Sequence, residues 1–189
     1  MDKIKLQNYP LVCPTPVVLI GALVRERPNY ATVGAYGVVC QEPVLYISLK
    51  STHHTTKGVR ANRYFSVNVP TAAMVRQTDY CGKVSGADQD KSQFFTAFYD
   101  ERGKAPLIGE CPLNFLCAVV QTVPFRGFEI FLGEVVATYA NESCAREAKF
   151  DPSAVDPLFL MGASYFGIGS RAGTVFASAG PVREPRNDG

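Results

Sequence analysis

The chain has 189 residues, of which 47% are hydrophobic, 11% aromatic and 19% charged, and its formal net charge is +2. This length suits one domain with a sizeable core, and the apolar content excludes a disordered chain. The 19 basic residues are nearly balanced by 17 acidic ones and form no cluster, which argues against a nucleic-acid or membrane-surface protein. Because average soluble chains are about 25% charged, we expect a second subunit or a cofactor to cover part of the surface.

No membrane span, secretion signal or zinc site is predicted. The longest apolar run, residues 17–24, falls short of the roughly 18 residues that a membrane helix needs, and it leads into Arg25-Glu26-Arg27 rather than a cleavage site. The six cysteines include no C-x-x-C pair, and only two histidines are present to help bind a metal. Without a secretory context the cysteines are expected to be reduced, which predicts a cytoplasmic protein.

Short β-rich runs, separated by Gly, Pro and polar clusters, dominate the chain. The predicted strands, in chain order, are 17–24, 32–39, 43–49, 64–69, 114–123 and 129–139. The last two are expected to be antiparallel neighbours because both are long and rich in β-branched residues.

Three short helices are predicted between the strands. They are 56–63 with Thr55 as N-cap, 71–79 with Thr71 as N-cap and Val75 buried, and 90–98 with Phe94, Phe95 and Phe98 on one side.

The element order predicts a single domain over residues 1–176. Residues 177–189 show no periodicity and contain two prolines, so they are predicted to be a flexible C-terminal tail. Six strands with helices inserted between them predict a mainly β fold, a closed or half-closed antiparallel barrel with α insertions. The alternating βαβ rhythm and the G-x-G-x-x-G motif of a Rossmann dinucleotide site are both missing.

The most informative segment is SLKSTHHTTKG at residues 48–58. Hydroxyl groups, backbone N–H groups at a helix N-terminus and two lysines suit a phosphate monoester. The alternative is a polar loop that caps a helix, which is a commonplace pattern. His53 and His54 are adjacent, so on an extended chain they point to opposite faces and do not easily serve one metal. A phosphate contact or a solvated position is favoured for them over catalysis.

Residues 28–32, PNYAT, begin a predicted strand with a turn-forming Pro-Asn pair. This segment is either only a turn or a place where an Asn amide and a Thr hydroxyl read a heteroaromatic ring. Tyr36, Phe128, Tyr165 and Phe166 offer flat area for such a ring, although aromatic residues in β proteins belong to the core more often. No G-x-S-x-G motif, Ser-His-carboxylate order or carboxylate pair stands out, so no catalytic side chain is predicted.

Taken together, these segments resemble the flavin reductase-like FMN-binding split-barrel family, and its flavoredoxin branch in particular. The residues that carry the resemblance are 16–22, 28–32, 48–59, 65–70, 78–82, 85–86, 90–92, 105–108, 110–113, 131–136, 164–166 and Gly169. FLGEVV at 131–136 is similar to the family's F-I-G-E-V strand, and SYF at 164–166 with Gly169 is similar to its terminal S-Y-x-x-x-G. Each piece is weak alone, but the ordered set, spanning residues 10 to 172, is specific.

The resemblance implies a homodimer of six-stranded antiparallel split β-barrels with Greek-key character, with FMN in a groove near the subunit interface. The implied cofactor-binding residues are Asn29 and Thr32 toward the isoalloxazine or ribityl region, Ser48, Lys50, Ser51 and Thr55 at the phosphate, Lys91 from the insertion, and Tyr165 and Phe166 near the ring. The implied activity is hydride transfer from NAD(P)H to flavin N5, followed by electron transfer to an acceptor. A flavoredoxin-type carrier that does not itself oxidise NAD(P)H and a non-catalytic flavin-binding barrel remain as alternatives.

The chain departs from the family pattern at two positions. Many relatives carry a tryptophan at the end of the strand that holds Thr32, whereas this chain has none, and Tyr36 is the replacement in that region. Many relatives also have a histidine five residues before the glycine of the G-E-V strand. Phe128 occupies that position here and can donate neither a proton nor a hydrogen bond, which leaves the electron partner open.

Overall fold

The computed structural model describes residues 3–6, 8, 10, 13–40, 42–146 and 149–169. The helices are α1 (His54–Asn62) and α2 (Val75–Lys83), and 3-10 turns lie at Ala72–Met74, Ser92–Phe94, Glu142–Cys144 and Pro152–Ala154. The strands are β1 (Thr15–Pro16), β2 (Val18–Val24), β3 (Arg27–Val33), β4 (Tyr36–Val38), β5 (Val44–Lys50), β6 (Tyr64–Val69), β7 (Ala97–Phe98), β8 (Leu107–Ile108), β9 (Leu113–Phe125), β10 (Phe128–Ala140), β11 (Ala145–Arg146), β12 (Lys149–Phe150), β13 (Phe159–Met161) and β14 (Ser164–Phe166). The predicted tail, 177–189, lies outside the described residues.

An antiparallel sheet of seven strands, in the order β3-β2-β6-β9-β10-β5-β4, forms the body of the fold. Its two edge strands, β3 and β4, are joined only by Gly34 and Ala35, a connection that spans at most about 11 Å. The two edges must therefore approach each other, and the Ser48 backbone N–H donates to the Ala35 carbonyl at 2.9 Å. The sheet is thus curled into a half-closed barrel, which confirms the mainly β, antiparallel barrel fold.

The predicted number of six strands is wrong because the predicted strand 32–39 is two strands that pair with different partners. β3 pairs with β2, while β4 pairs with β5 at the other edge of the sheet. The turn before β3 is also displaced from the expected Pro-Asn. It lies at Arg25 and Glu26, whose φ angles are 50° and 65°, and Pro28 is inside β3. An edge strand tolerates this proline because one side of its backbone has no ladder partner.

The core has two layers, one on each face of the curled sheet. Inside the barrel, alternate residues of the strands pack together with Val59 of α1, as period-two side chains should. The barrel members are Val18, Ile20, Ala22, Val33, Leu45, Ile47, Leu49, Phe65, Val67, Cys117, Val119 and Phe131. A second cluster packs under α2 and comprises Leu19, Tyr30, Met74, Cys81, Phe95, Ile108 and Cys111.

The helix predicted over 90–98 is wrong, since only a 3-10 turn and the short β7 are present there. Asp90 competes with a helix: its Oδ1 accepts from the Ser92 backbone N–H at 2.9 Å and from the Ser92 hydroxyl at 2.7 Å. The three phenylalanines consequently meet different rings rather than sharing one face. Their edge-to-face partners are Tyr80 for Phe94, Tyr30 for Phe95 and Tyr139 for Phe98.

The other two helices exist, with shifted starts. α1 begins at His54, with His53 in the N-cap position, so the predicted N-cap, Thr55, lies inside the helix with its side chain buried. α2 follows a 3-10 turn with Thr71 in the N-cap position but without a side-chain cap, and it buries Thr78 and Cys81, whereas Val75 is only half-buried. All six cysteines are free thiols. Within the described residues, no helix combines the length and apolar character needed to cross a membrane.

Candidate functional site

Two adjoining cavities open between the β2–β3 turn, the start of α1 and the loop that follows α2. The larger compartment, about 570 Å³, is lined by Val24, Arg25, Arg27, Pro28, Asn29, His54 and residues 86–91. The smaller compartment, about 310 Å³, is lined by Ala31, Thr32, Lys91 and residues 52–55 and 81–86. His54, Gly86 and Lys91 line both, so a ligand in one compartment lies beside a ligand in the other.

The N-terminus of α1 forms one wall of the smaller compartment. Residues 52–55 line the cavity, and the first turn of the helix contains no acidic residue. The first N–H groups of a helix have no intrahelical acceptor, and the helix dipole places partial positive charge at this end. No side chain caps the helix, so this wall presents hydrogen-bond donors suited to an anion.

Asn29 and Gly86 fix the position of Thr55 in this wall. The Asn29 side chain donates from Nδ2 to Thr55 Oγ1 at 2.6 Å, and both residues are buried. Because Thr55 Oγ1 accepts this bond, its own hydroxyl proton is left to donate elsewhere. Asn29 Oδ1 lies where a Cβ on residue 86 would project, so only glycine allows the loop to approach Asn29 this closely.

Lys91 is a buried cation shared by both compartments. It is 4% exposed, and its Nζ donates to the Tyr30 carbonyl at 3.1 Å and to the Cys81 carbonyl at 2.7 Å. An ammonium has three donor protons, so one is left after these two bonds. Burial lowers the Lys91 pKa, and Cys81 opposes that shift. The lysine supplies a donor at the junction of the two cavities.

His54 presents an unsatisfied nitrogen at the same junction. Its Nδ1 is buried and has no hydrogen-bond partner among the described residues. Burial lowers the pKa of His54, the positive charges of Lys57, Arg25 and Lys91 lower it further, and Asp88 opposes them. The pKa of His53 is lowered as well, first by burial and then by Lys50 and Lys91. Both imidazoles are therefore neutral hydrogen-bonding groups at neutral pH rather than cations.

Thr32 holds α2 in place at the opposite wall. Its hydroxyl donates to the Thr78 carbonyl, which fixes the helix whose last residues, Cys81 to Lys83, line the smaller compartment. Four predicted cofactor-binding residues are thus brought together: Asn29, Thr32, Thr55 and Lys91.

Six predicted cofactor-binding residues line neither compartment, and their part in flavin binding stays a prediction. Three belong to β4 and β5. Tyr36 packs partly buried against the barrel core, which raises its pKa to about 12. The backbone N–H of Ser48 donates to the carbonyl of Ala35, in the connection between β3 and β4. Lys50 is exposed, and its carbonyl accepts from Thr56 Oγ1 at 2.8 Å.

The other three predicted residues are held by contacts elsewhere. The carbonyl of Ser51 accepts from Arg60 Nη2 at 2.9 Å, and its N–H donates to the Gly127 carbonyl at 2.9 Å. The Tyr165 hydroxyl donates to Asp79 Oδ1 at 3.0 Å, on the outer side of α2. Phe166 is 46% exposed and lines a third, apolar cavity of about 280 Å³ together with Phe159, Met161 and Ile168.

The sequence predicted neither a role for Arg25 and Arg27 in the larger compartment nor the contact between Gly86 and Asn29. Arg25 and Arg27 follow the apolar strand β2 and have no motif of their own. Gly86 was a matching position of the family, but its contact with Asn29 joins residues 57 positions apart, which no local pattern reports. For His53 and His54 the sequence favours a phosphate contact or a solvated position over catalysis, and both residues line the smaller compartment.

Comparison with known proteins agrees with this geometry. Residues 11–169 match the family described as Flavin reductase like domain. The chain belongs to that family. Flavoredoxin from Methanosarcina acetivorans has a TM-score of 0.89 and 39% sequence identity, with 94% of this chain and 97% of that chain covered. Flavoredoxin of Desulfovibrio vulgaris has a TM-score of 0.87 and 28% identity, with 94% and 99% covered.

A curated relative also matches. An uncharacterised protein of Archaeoglobus fulgidus is 28% identical over 131 residues, which cover 68% of this chain and 71% of that protein. Membership of the flavin reductase-like family confirms the resemblance on which the split-barrel fold was predicted, and FMN is confirmed as its cofactor.

The residues of the two compartments fit this cofactor. FMN carries a phosphate dianion, a polyhydroxyl chain and a ring edged with nitrogen and oxygen. The smaller compartment offers an uncapped helix N-terminus, the Thr55 hydroxyl and a Lys91 proton, while the buried His54 Nδ1 lacks a partner among the described residues. Such donors match an anionic, hydrogen-bonding ligand rather than an apolar one.

Proposed function

We propose that the chain is an FMN-dependent oxidoreductase that takes hydride from NAD(P)H and passes electrons to an acceptor. When bound, FMN supplies the two-electron chemistry. The observation that carries the proposal is the uncapped N-terminus of α1 beside the buried Lys91 ammonium, in a cavity next to a second, larger one. A site with room for two ligands side by side is what transfer between two small molecules requires.

The side chains of the site bind and orient. The first N–H groups of α1 and the Thr55 hydroxyl are the groups that would hold the phosphate, with Asn29 fixing the Thr55 rotamer. Lys91 would donate its remaining proton to the flavin, and its two carbonyl bonds keep the ammonium from swinging away. Thr32 keeps α2 against β3, which closes the compartment on its far side.

The family relatives favour one further candidate, an electron carrier that binds FMN without oxidising NAD(P)H. Its support is the similarity to two flavoredoxins at 39% and 28% identity. Anaerobic titration with NADH and with NADPH separates the two functions. Bleaching of the oxidised flavin band supports the reductase, whereas an unbleached band that chemical reductants do bleach supports the carrier. A colourless protein whose melting temperature FMN does not raise would overturn both.

A homodimer is proposed as well, and the outer side of the β9–β10 hairpin supports it. Val120, Val123, Phe125 and Phe128 are between 38% and 58% exposed there. Phe125 and Phe128 are cross-strand partners, and exposed apolar side chains grouped in this way are typical of protein interfaces. The low charged fraction is in line with the same proposal, and light scattering of the purified chain tests it. Location in the cytoplasm stays a prediction, supported by six free thiols.

A further inference from the structure

The larger compartment has features that flavin binding does not use. Arg25, in the turn between β2 and β3, and Arg27, the first residue of β3, lie at its rim, and both are exposed. Neither takes part in a salt bridge among the described residues, whose ion pairs involve Arg60, Arg102 and Arg146. Glu26 lies between them in the chain and does not line the compartment, so two guanidinium groups that form no salt bridge within the described part of the chain are available at its rim for an anion.

The other charged groups of this compartment reduce the attraction of the two arginines for an anion without cancelling it. Asp90 faces the cavity, but its carboxylate is bound by Ser92, and the Ser92 hydrogen bonds and Arg27 lower its pKa. Asp88 is the second carboxylate of the lining. The Lys91 ammonium adds its positive charge from the shared wall, where His54 also lies.

Size and position indicate the kind of anion. A cavity of about 570 Å³ is far larger than an inorganic ion needs and suits part of a nucleotide. Its wall of His54, Gly86 and Lys91 is also the wall of the smaller compartment, so its occupant lies directly beside the flavin site. In a reductase the molecule that must lie there is the reductant.

We propose that the larger compartment is the phosphate subsite for the dinucleotide reductant, and that Arg25 and Arg27 select the 2′-phosphate of NADPH over NADH. The inference rests on the proposed function. A 2′-phosphate is a monoester with nearly two negative charges and three acceptor oxygens, whereas each pyrophosphate group carries one charge. The two guanidinium groups therefore interact more strongly with the 2′-phosphate, which only NADPH carries, than with the pyrophosphate that both dinucleotides share.

Direct binding tests this without any turnover. The FMN-loaded protein is titrated calorimetrically with NADP+ and with NAD+, which differ only in the 2′-phosphate and cannot reduce the flavin. We expect NADP+ to bind about ten-fold or more tightly than NAD+, since a charged hydrogen bond has that value. FMN should stay bound throughout, because the two ligands occupy different compartments.

Substitutions assign the effect to the arginines. R25Q and R27Q should each lower the affinity ratio of the two probes several-fold, while D88N should tighten both. R76Q is the matched control: Arg76 is exposed on α2 and lines neither compartment, so its ratio should equal that of the wild type.

The outcomes separate the two proposals. A wild-type protein that binds FMN but binds both probes equally, or not at all, overturns this inference alone. So does an unchanged ratio in both arginine variants, provided that their flavin fluorescence titrations match the wild type. A wild-type protein that fails to bind FMN overturns the proposed function first.

Discussion

Asn29 and Thr55, 26 positions apart in the chain, are joined by a buried hydrogen bond of 2.6 Å from Nδ2 to Oγ1. This bond connects β3, an edge of the barrel sheet, to the first turn of α1. It sets the direction of the Thr55 hydroxyl in the wall of the smaller compartment.

Thr55→Val should weaken FMN binding about ten-fold and riboflavin binding much less. Valine keeps the shape of threonine but removes both the acceptor of Asn29 and the donor for the phosphate, which riboflavin lacks. Flavin fluorescence titration measures both affinities. Thr55→Ser keeps the hydroxyl and should restore most of the FMN affinity. Equal losses for FMN and riboflavin would contradict the assignment.

Lys50→Ala is an informative companion variant. The sequence predicts a phosphate contact for Lys50, but its exposed side chain is not part of the smaller compartment. The structure therefore predicts a smaller loss of FMN affinity than for Thr55→Val. A larger loss would show that Lys50 reaches the phosphate from outside this cavity.

Gly86→Ala should lower FMN affinity by ten-fold or more while leaving the fold intact. The added methyl group would collide with Asn29 Oδ1 and push Asn29 off Thr55. Circular dichroism checks the fold and fluorescence titration the affinity. Gly34→Ala is the matched control, because its methyl group would meet Thr15 Cγ2 at an ordinary 3.7 Å. Wild-type FMN affinity in Gly86→Ala would refute the close approach.

Arg60→Gln should destabilise the protein by about 1 kcal/mol at neutral pH, a low figure because Arg60 is 44% exposed. Two nitrogens of Arg60, Nε and Nη2, donate hydrogen bonds to the Glu129 carboxylate, and the distance from Nε to Oε2 is 2.8 Å. These bonds connect the last turn of α1 to β10. The Arg60 hydrogen bond lowers the pKa of Glu129 below its ordinary 4.5. This stability is present above pH 4.5 and is lost as the pH falls through the lowered pKa.

Urea unfolding of Arg60→Gln and wild type over a range of acidic pH checks this prediction. The difference in unfolding free energy should become smaller once Glu129 is protonated, and what remains is the hydrogen bond from Arg60 to the Ser51 carbonyl. A difference that is the same at every pH would mean that Arg60 does not act through Glu129.

The protein without cofactor should lose stability as the pH rises above about 9. Burial raises the pKa of the Cys81 thiol to about 11 and of the Cys117 thiol to about 12, whereas unfolded thiols ionise near their ordinary 9.0. Between pH 9 and these raised pKa values, the folded state therefore binds more protons than the unfolded chain. Each thiol then lowers the free energy of unfolding by about 1.4 kcal/mol per pH unit. Lys91, with a lowered pKa, opposes this trend below 10.5.

Cys117→Ala separates this effect from general alkaline unfolding. Its cavity costs stability at every pH, but the fall in unfolding free energy between pH 9 and 11 should be less steep than in wild type. Chemical denaturation at several pH values gives both slopes. Identical slopes would show that Cys117 ionises as readily in the folded protein as in the unfolded chain.

Local pattern predicted the elements whose signals are local. Runs rich in apolar and β-branched residues predict β2, β6 and the β9–β10 hairpin, and these strands lie within two residues of their predicted bounds. The helix predicted over 90–98 is wrong because an Asp90–Ser92 turn and three separate ring partners override the apolar spacing. The break of 32–39 at Gly34 is decided by pairing with β2 and β5, which no window of the sequence contains.

By itself, the sequence determined that the chain is lightly charged, is rich in short strands and carries hydroxyl groups and lysines before a helix. The order of its motifs along the chain also matches the flavin reductase-like family. Only the tertiary structure decided which of those groups face one cavity. Asn29, Thr55, Gly86 and Lys91 converge because β3, α1 and the loop after α2 pack together, and Ser48 and Lys50 do not because β5 pairs with β10. Such convergence depends on contacts between distant segments, which are set by burial and pairing of the whole sheet rather than by neighbours in the chain.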